Sequence, residues 1–245
     1  MASSYNKDRV YWIVINRAPA HLSYQDWKGE LEYSMTHWLD IPLVQDTTVK
    51  FENIAANIVL DDPAKAWGSP MTRAIPSNVF LMEYKSRDDM VKSANDPLVQ
   101  STLSTFPESN PDRRATVFVG EAKTIIDKKA SSNIRNNVHY FDICEVPTGG
   151  VPEECEKKLD VLVERFTSLP IAQKSLLKYT MYRQDSSMDA INTTQLKVHH
   201  GPEYTFIFHK EFENEDDMIE TAVMRISWSR APNFSISHRL RRTSA

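Results

Sequence analysis

The feature that most constrains this chain is an internal repeat. The segment 41–51 returns as the segment 169–179, with proline, glutamine and lysine at matching positions. Pro42 and Pro170 set the offset, 170 − 42 = 128 residues. The same offset aligns other pairs without gaps: Val10 with Val138, Ile15 with Ile143, Leu31 with Leu159, Phe80 with Phe208, Glu83 with Glu211, and 88–90 with 216–218. One constant offset over separated segments predicts a tandem duplication.

Both copies show the same order of predicted elements: strand, helix, strand, strand, helix, strand. Runs of β-branched and aromatic residues predict strands at 10–16, 47–60, 78–85 and 115–123, and again at 137–144, 175–183, 204–212 and 233–240. Ser23 and Ser86 are suitable N-caps for the helices of the first copy, and Pro42 is expected to stop or kink the first of them. Helices are also predicted at 152–169 and 215–227, and long loops at 61–77 and 186–201.

A β-α-β-β-α-β unit is the ferredoxin-like pattern, in which right-handed crossovers place both helices on one face of a four-stranded antiparallel sheet. The other face of such a sheet must be buried against something. Two copies in one chain meet this requirement if their open faces come together. We therefore predict an α+β protein with a first repeat at 8–123, a linker at 124–136 and a second repeat at 137–240, packed as one pseudo-dimeric α/β barrel.

Composition narrows the classes of partner. The 29 basic and 33 acidic residues form no basic stripe, which argues against a nucleic-acid partner. Cys144 and Cys155 are too few for a zinc site of four thiolates. The start lacks the apolar core of a signal peptide, and no apolar run is long enough for a membrane span. The six glycines form no phosphate-binding loop. We expect a cytoplasmic monomer or homodimer without a nucleotide cofactor.

The layout resembles the dimeric α/β-barrel superfamily over nearly the whole chain, here as a fused pair. Within it, residues 40–44, Asp-Ile-Pro-Leu-Val, resemble the end-of-helix signature His-x-Pro-Leu-Val of EthD-like proteins. Asp40 stands at the position of the family's histidine, and Ser168 occupies that position in the second copy. The resemblance implies small-molecule chemistry on aromatic or polyketide-like compounds of secondary metabolism, often without a metal or organic cofactor, and includes haem-dependent reactions.

Strand alternation divides each predicted sheet into two faces. On the first and third strands of each copy, the bulkier apolar sets are expected to face the helices. The remaining sets are then expected to face the lumen, and they contain Trp12, Asn16, Glu83, Tyr140, Asp142, Cys144, His209 and Glu211. Lys210 falls in a helix-facing set, which is unusual for a charged side chain.

The first and third strands of a ferredoxin-like sheet are neighbours, so Asp142 and His209 are expected side by side in the lumen of the second copy. Their counterparts in the first copy, Val14 and Leu81, are inert. A carboxylate beside an imidazole fixes its tautomer and raises its basicity, which suits proton transfer. We predict Asp142 and His209 as the acid–base pair, with Tyr140 as a donor to a developing oxyanion. The predicted substrate-binding residues are Trp12, Asn16, Glu83, Glu211 and Cys144.

The predicted function is a cofactor-independent enzyme of the cyclase, isomerase or lyase type. Its substrate would be a hydrophobic aromatic or polyketide-derived molecule in the lumen. Two alternatives stay open: a non-catalytic ligand-binding or stress-related barrel, which a filled lumen would favour, and a haem-binding barrel. Asp142 and His209 can equally form a structural pair. His199 and His200 can gate the lumen or ligate a metal, but adjacent histidines point apart in an extended chain. We therefore predict no metal and no cofactor.

Overall fold

The structure is a computed structural model that describes residues 5–18, 22–55, 77–109, 116–128, 137–146, 150–185, 199–200, 205–226 and 236–242. The strands are β1 (Asn6–Arg17), β2 (Thr48–Ala55), β3 (Ser77–Tyr84), β4 (Thr116–Asp127), β5 (Val138–Glu145), β6 (Leu176–Gln184), β7 (His199–His200), β8 (Thr205–Phe212) and β9 (Ile236–Arg242). The helices are α1 (Tyr24–Leu39), α2 (Pro42–Thr47), α3 (Arg87–Asn95), α4 (Pro97–Ser109), α5 (Pro152–Thr167), α6 (Pro170–Ser175) and α7 (Glu215–Ile226).

The strands form one sheet in the order β2-β3-β1-β4-β6-β8-β5-β9, and β7 pairs with β4. The first half contributes β1 to β4 to this path, and the second half contributes β5, β6, β8 and β9; each set of four strands has the ferredoxin-like order. All neighbours along this path are antiparallel, and β4 joins β6 across the two halves. The Cα atoms of β2 and β9, the two ends of the path, approach within 8 Å. Within the described ranges, however, no hydrogen-bonded ladder closes the sheet.

The register of the two halves is the same. Val10 lies opposite Tyr84 in the first half, and Val138 lies opposite Phe212 in the second. Both second strands also shift register near their start, between Thr48 and Lys50 in β2 and between Leu176 and Lys178 in β6. Every one of these second-half positions follows its first-half counterpart at the same offset as the sequence repeat.

Local sequence explains where the first helices begin and end. Ser23 accepts a hydrogen bond from the Asp26 backbone N–H, so the predicted N-cap of α1 is confirmed. Ser86 caps α3 in the same way. Pro42 separates α1 from α2, because proline fits the first turn of a helix but not its interior. One face of α1 is apolar and buried, and it consists of Trp27, Leu31, Met35 and Trp38.

Three apolar clusters define the two faces of the sheet. On the helix-covered face, here the outer face, one cluster packs against α1 to α4 and another packs against α5 to α7. The opposite face, here the inner face, carries one cluster with residues from both halves, including Ile13, Leu81, Phe118, Phe141 and Ile207. The sheet therefore curves around a shared apolar interior. None of the helices in the described part of the chain is long and apolar enough to cross a membrane.

Some elements differ from the prediction. The linker predicted at 124–136 starts inside β4, because residues up to Asp127 pair with β6. Helix α4 is not predicted by the pattern; it begins at Pro97, where Asp96 accepts hydrogen bonds from the next backbone N–H groups. The loop predicted at 61–77 lies outside the described residues except for Ser77 in β3, and of the loop at 186–201 only His199–His200 is described.

Candidate functional site

The structure corrects the predicted orientation of β1 and β5. Trp12 and Tyr140 belong to the clusters between the sheet and the helices, so they lie on the outer face. Phe141 follows Tyr140 in β5 and therefore belongs to the set that is predicted to face the helices, but it lies on the inner face. The predicted orientation of β8 is confirmed, because Phe208 lies in the outer cluster and Ile207 in the inner one. In each half, the side chains of the first strand therefore face the opposite way from the prediction.

This error has a physical cause. Residues directly opposite each other in an antiparallel pair share a face, and Val138 lies opposite Phe212. Even-numbered residues of β5 therefore face the same way as even-numbered residues of β8. When both faces are apolar, a hydrophobic pattern cannot show which side chains of β5 share a face with those of β8. Here the inner face also carries an apolar cluster, which includes Ile13, Ile15, Val79 and Leu81.

Asp142 and His209 consequently lie on opposite faces, and the predicted acid–base pair is wrong. Asp142 instead forms a salt bridge with Lys210 on the outer face, with 2.5 Å between Oδ2 and Nζ. Their side chains are 0 % and 3 % exposed. The Lys210 ammonium also lies 4.7, 5.3 and 5.4 Å from the ring centroids of Tyr140, Phe166 and Tyr179. The aromatic rings enclose this ion pair within the helix-side core.

The inner face of the second half brings two histidines together. His139 of β5 and His209 of β8 are 5 % and 2 % exposed. The Nδ1 atom of His139 lies 2.8 Å from the Nε2 atom of His209. The Phe141 ring stacks on His209 with 4.3 Å between centroids, which helps to fix the imidazole plane. Two imidazole nitrogens at this distance share one proton, with one ring donating and the other accepting.

Glu211 completes this group, which we call the His–Glu cluster (His139, His209 and Glu211). Glu211 lies opposite His139 in the β5–β8 ladder and two positions after His209 on the same face. The possible ligand atoms of the three side chains all lie within 4.8 Å of one another. Thr180 of β6 lies opposite His209. Three neighbouring strands thus bring polar side chains to one region of the inner face.

Two side-chain oxygens of this region are buried. Glu211 Oε1 and Thr180 Oγ1 have no hydrogen-bond partner in the described part of the molecule. The Lys178 ammonium lies 4.0 Å from Glu211 Oε1, beyond hydrogen-bond distance. A buried oxygen without a partner costs free energy, and the exceptions in native structures need an explanation. Both oxygens are placed to accept a donor or a cation at the cluster.

Burial and neighbouring charges control ionisation around the cluster. Burial raises the pKa of Glu211; Lys178 and Lys50 oppose this shift, and the charge of Glu52 adds to it. Burial is also the main reason why the pKa of Tyr182 lies well above its ordinary value, and the charge of Glu52 adds to that shift. The smaller, charge-based part of both shifts arises because Glu52 of the first half lies near these groups of the second half.

The first half carries no comparable cluster at the matching positions. Tyr11 and Leu81 occupy the places of His139 and His209, and only Glu83 matches Glu211. Burial and the charge of Glu83 raise the pKa of Tyr11 to about 12. The two halves therefore differ on the inner face, where His139 and Glu211, and not the predicted Asp142, lie beside His209.

The predicted site residues divide between the two faces. Glu83, His209 and Glu211 lie on the inner face, whereas Trp12, Asn16, Tyr140, Asp142 and Cys144 lie on the outer face. His139 and Thr180 were not predicted for the site. The signal in the sequence for His139 is Lys210, because a buried lysine requires a carboxylate on its own face. Asp142 must therefore lie on the outer face with Lys210. His139, three positions earlier in the same strand, must then lie on the inner face.

A separate polar cavity of about 230 Å³ lies where β4 meets β6, on the outer side. Its lining includes Arg87, Glu121, Glu156, Arg183 and Asp185. Arg183 is paired with Glu121 at 2.8 Å and with Glu156 at 3.2 Å, and Arg87 is paired with Asp185. Because each arginine already has a carboxylate partner, this cavity offers an anionic ligand little uncompensated charge.

No protein-family model matches the sequence, and no curated protein is significantly similar to it. Solved structures are similar in fold. A candidate monooxygenase from Fusobacterium nucleatum has a TM-score of 0.53 at 10 % identity, over 96 % of this chain and 93 % of that chain. An anthrone oxidase-like protein has a TM-score of 0.53 at 11 % identity, over 97 % and 94 %. A candidate monooxygenase from Lactobacillus acidophilus has a TM-score of 0.51 at 10 % identity, over 96 % and 94 %.

At such low identity these similarities concern the fold and do not transfer an activity. They extend over nearly the whole length of each protein, so both halves of the chain take part in the likeness. Membership of the EthD-like group stays a prediction from residues 40–44. What these structures share with this chain is the fold.

Proposed function

We propose that this chain is a small-molecule enzyme whose reactive centre is the His–Glu cluster on the inner face of the second half. The reaction would be a proton-transfer step of the isomerase, lyase or cyclase type. The substrate would be a hydrophobic aromatic or polyketide-derived molecule. The observation that carries this proposal is the contact of 2.8 Å between the buried ring nitrogens of His139 and His209.

The chemistry of the cluster supports such a reaction. Imidazole is the side chain best suited to gain and lose a proton near neutral pH, and a positioned base of this kind contributes about 10²- to 10⁴-fold to a rate. His139 can hold the proton that His209 gives up, since the two nitrogens are in hydrogen-bond contact. Glu211 adds a carboxylate on the same face. The group can therefore move a proton without bulk water.

The surroundings support a hydrophobic substrate. The inner cluster presents Ile13, Leu81, Phe118 and Phe141 toward the same interior as the histidines. Tyr11 and Tyr182 add aromatic rings whose centroids lie 5.3 Å apart. We further propose that the halves are a fused duplication of the EthD-like kind. In solution β2 and β9 would then complete a pseudo-dimeric barrel around the ligand.

The test is turnover of a panel of aromatic and polyketide-type ketones by the full chain. His209→Leu, which installs the residue found at the matching position of the first half, is expected to lower turnover at least about 100-fold. His37→Gln is the matched control, because His37 lies exposed on α1. Turnover that stays within about threefold in His209→Leu, against the 10²-fold scale of acid–base catalysis, would falsify the proposal.

A non-catalytic ligand-binding barrel is the second candidate, and the packing of the inner face favours it. The side chains of the inner cluster are buried against one another. Native mass spectrometry with polyketides decides between the candidates: a bound ligand that is never converted supports the carrier. Haem binding is tested separately by adding haemin to the purified protein, where a Soret band is the positive result.

A further inference from the structure

We propose that His139, His209 and Glu211 bind one divalent transition-metal ion. The catalytic role of this metal rests on the proposed function, which the inference deepens. A water molecule bound to the metal would then be the group that exchanges protons. Binding itself needs no substrate and can be tested alone. The sequence predicts no metal, because the adjacent His199 and His200 point apart in an extended chain, whereas the structure brings His139 and His209 together on the inner face.

The ligand set favours transition metals. Two imidazoles and one carboxylate are the protein ligands of catalytic zinc sites and of non-haem iron sites, where further positions stay open for water or substrate. Calcium and magnesium prefer oxygen ligands, so two histidines argue against them. Both cysteines lie away from the cluster, with Cys144 in the outer core and Cys155 on α5.

The distances suit such an ion. Metal–nitrogen bonds of about 2.1 Å place neighbouring ligands of an octahedral ion about 3.0 Å apart. His139 Nδ1 and His209 Nε2 are already 2.8 Å apart, and the proton that they share would be released when both nitrogens bind the ion. All three ligand atoms lie within 4.8 Å of one another, and a side-chain rotation of Glu211 can bring its carboxylate closer. The strands that carry the ligands need not move, because the residues are neighbours in one ladder.

A second observation points to a ligand independently of the histidines. Glu211 Oε1 is buried and has no hydrogen-bond partner in the described part of the chain, and the same holds for Thr180 Oγ1 across from His209. The charged groups near Glu211 are Lys178, Lys50 and Glu52. A cation between the imidazoles and the carboxylate would satisfy Oε1 directly, and its bound water could donate a hydrogen bond to Thr180.

The experiment uses the full chain after removal of metals with a chelator. Calorimetric titration with Zn²⁺, and titration with Co²⁺ followed by its visible absorption, are expected to give one ion per chain, with no binding of Mg²⁺. His139→Tyr and His209→Leu, which copy the first half, should weaken binding at least about 100-fold. A loss of affinity of this size would be larger than the tenfold to hundredfold loss that follows mutation of residues that only support a metal ligand. Glu211→Gln should weaken it about tenfold or more.

Two controls locate the ion. His37→Gln and the double variant His199→Ala/His200→Ala should bind as the unaltered chain does. The proposal is overturned if the unaltered chain shows no saturable binding, if His209→Leu retains it, or if the His199/His200 variant loses it. The first of these outcomes does not depend on whether any variant folds. Turnover by the chelated protein would keep the proposed function and reject a catalytic role for the metal, whereas tight metal binding without turnover would keep the metal site and reject the proposed function.

Discussion

The two halves of the molecule share a backbone plan but differ in where they bury ionisable groups. On the inner face, Tyr11 and Leu81 of the first half correspond to His139 and His209 of the second. On the outer face, Val14 and Met82 correspond to Asp142 and Lys210. At these positions the first half shows which side chains the backbone accepts when no charge is required.

Buried charges and paired imidazoles are costly compared with apolar side chains of similar size. The first half shows that the same strand positions pack well without them. Their presence in the second half therefore calls for a reason other than stability, and local departures from good packing concentrate at functional sites. This argument applies to both faces, so the outer ion pair needs a test of its own.

The largest expected effect comes from breaking the outer ion pair. Lys210→Met leaves the Asp142 carboxylate in a core where it is 0 % exposed. Removing one partner of a buried pair costs about 3–5 kcal/mol, because the remaining charge has no compensation. The free energy of unfolding, measured with urea, should fall by that amount, and Asp142→Val should behave alike.

The double variant Asp142→Val/Lys210→Met is the control, since it installs both residues of the first half. Replacing a buried pair by apolar side chains is often neutral or stabilising. We expect the double variant to recover most of the stability lost by either single variant. A double variant as unstable as the singles would mean that the two halves are not packed equivalently around these positions.

The junction of the halves gives the next largest effect. Gly120 of β4 lies between Tyr11 of β1 and Gln184 of β6, and a Cβ atom there would collide with the Arg183 backbone. Gly120→Ala should lower the free energy of unfolding by about 1–3 kcal/mol, as overpacking does.

Gly29→Ala is the matched control for the junction, because a Cβ atom at Gly29 meets nothing within 4 Å. Alanine is the better helix former, so this change in α1 should raise stability by up to about 1 kcal/mol. If Gly120→Ala lowers the free energy of unfolding no more than Gly29→Ala does in the same urea titration, then β4 and β6 do not approach as closely as described.

The sequence predicted the fold more completely than the site. The repeat aligns elements at a fixed offset, and hydrophobic period and capping residues identify them, so Ser23, Ser86 and Pro42 mark the ends seen in the structure. The site depends on strand register. A shift by one residue moves a side chain to the other face, and two apolar faces give no pattern that resolves it.

Lys210 was the residue that could have resolved the register. Its charge within an apolar set requires a buried partner, and Asp142 is the acid that the ladder can supply. With Asp142 on the outer face, His139 must be inside, beside His209. The charge of Lys210 is thus better evidence for the strand register than the size of the apolar side chains.

The smallest expected effect concerns the start of the first helix in each half. Ser23 caps α1 by accepting from the Asp26 N–H at 3.1 Å, whereas the matching residue of α5, Val151, makes no side-chain cap and is 49 % exposed. Both residues have extended backbone angles, as a cap requires.

Val151→Ser would also complete a capping box, because Glu154 already lies three residues after position 151. We expect it to raise the urea-derived stability by about 1 kcal/mol, and Ser23→Ala to lower it equally. A loss in Ser23→Ala without a gain in Val151→Ser would show that α5 begins differently from α1.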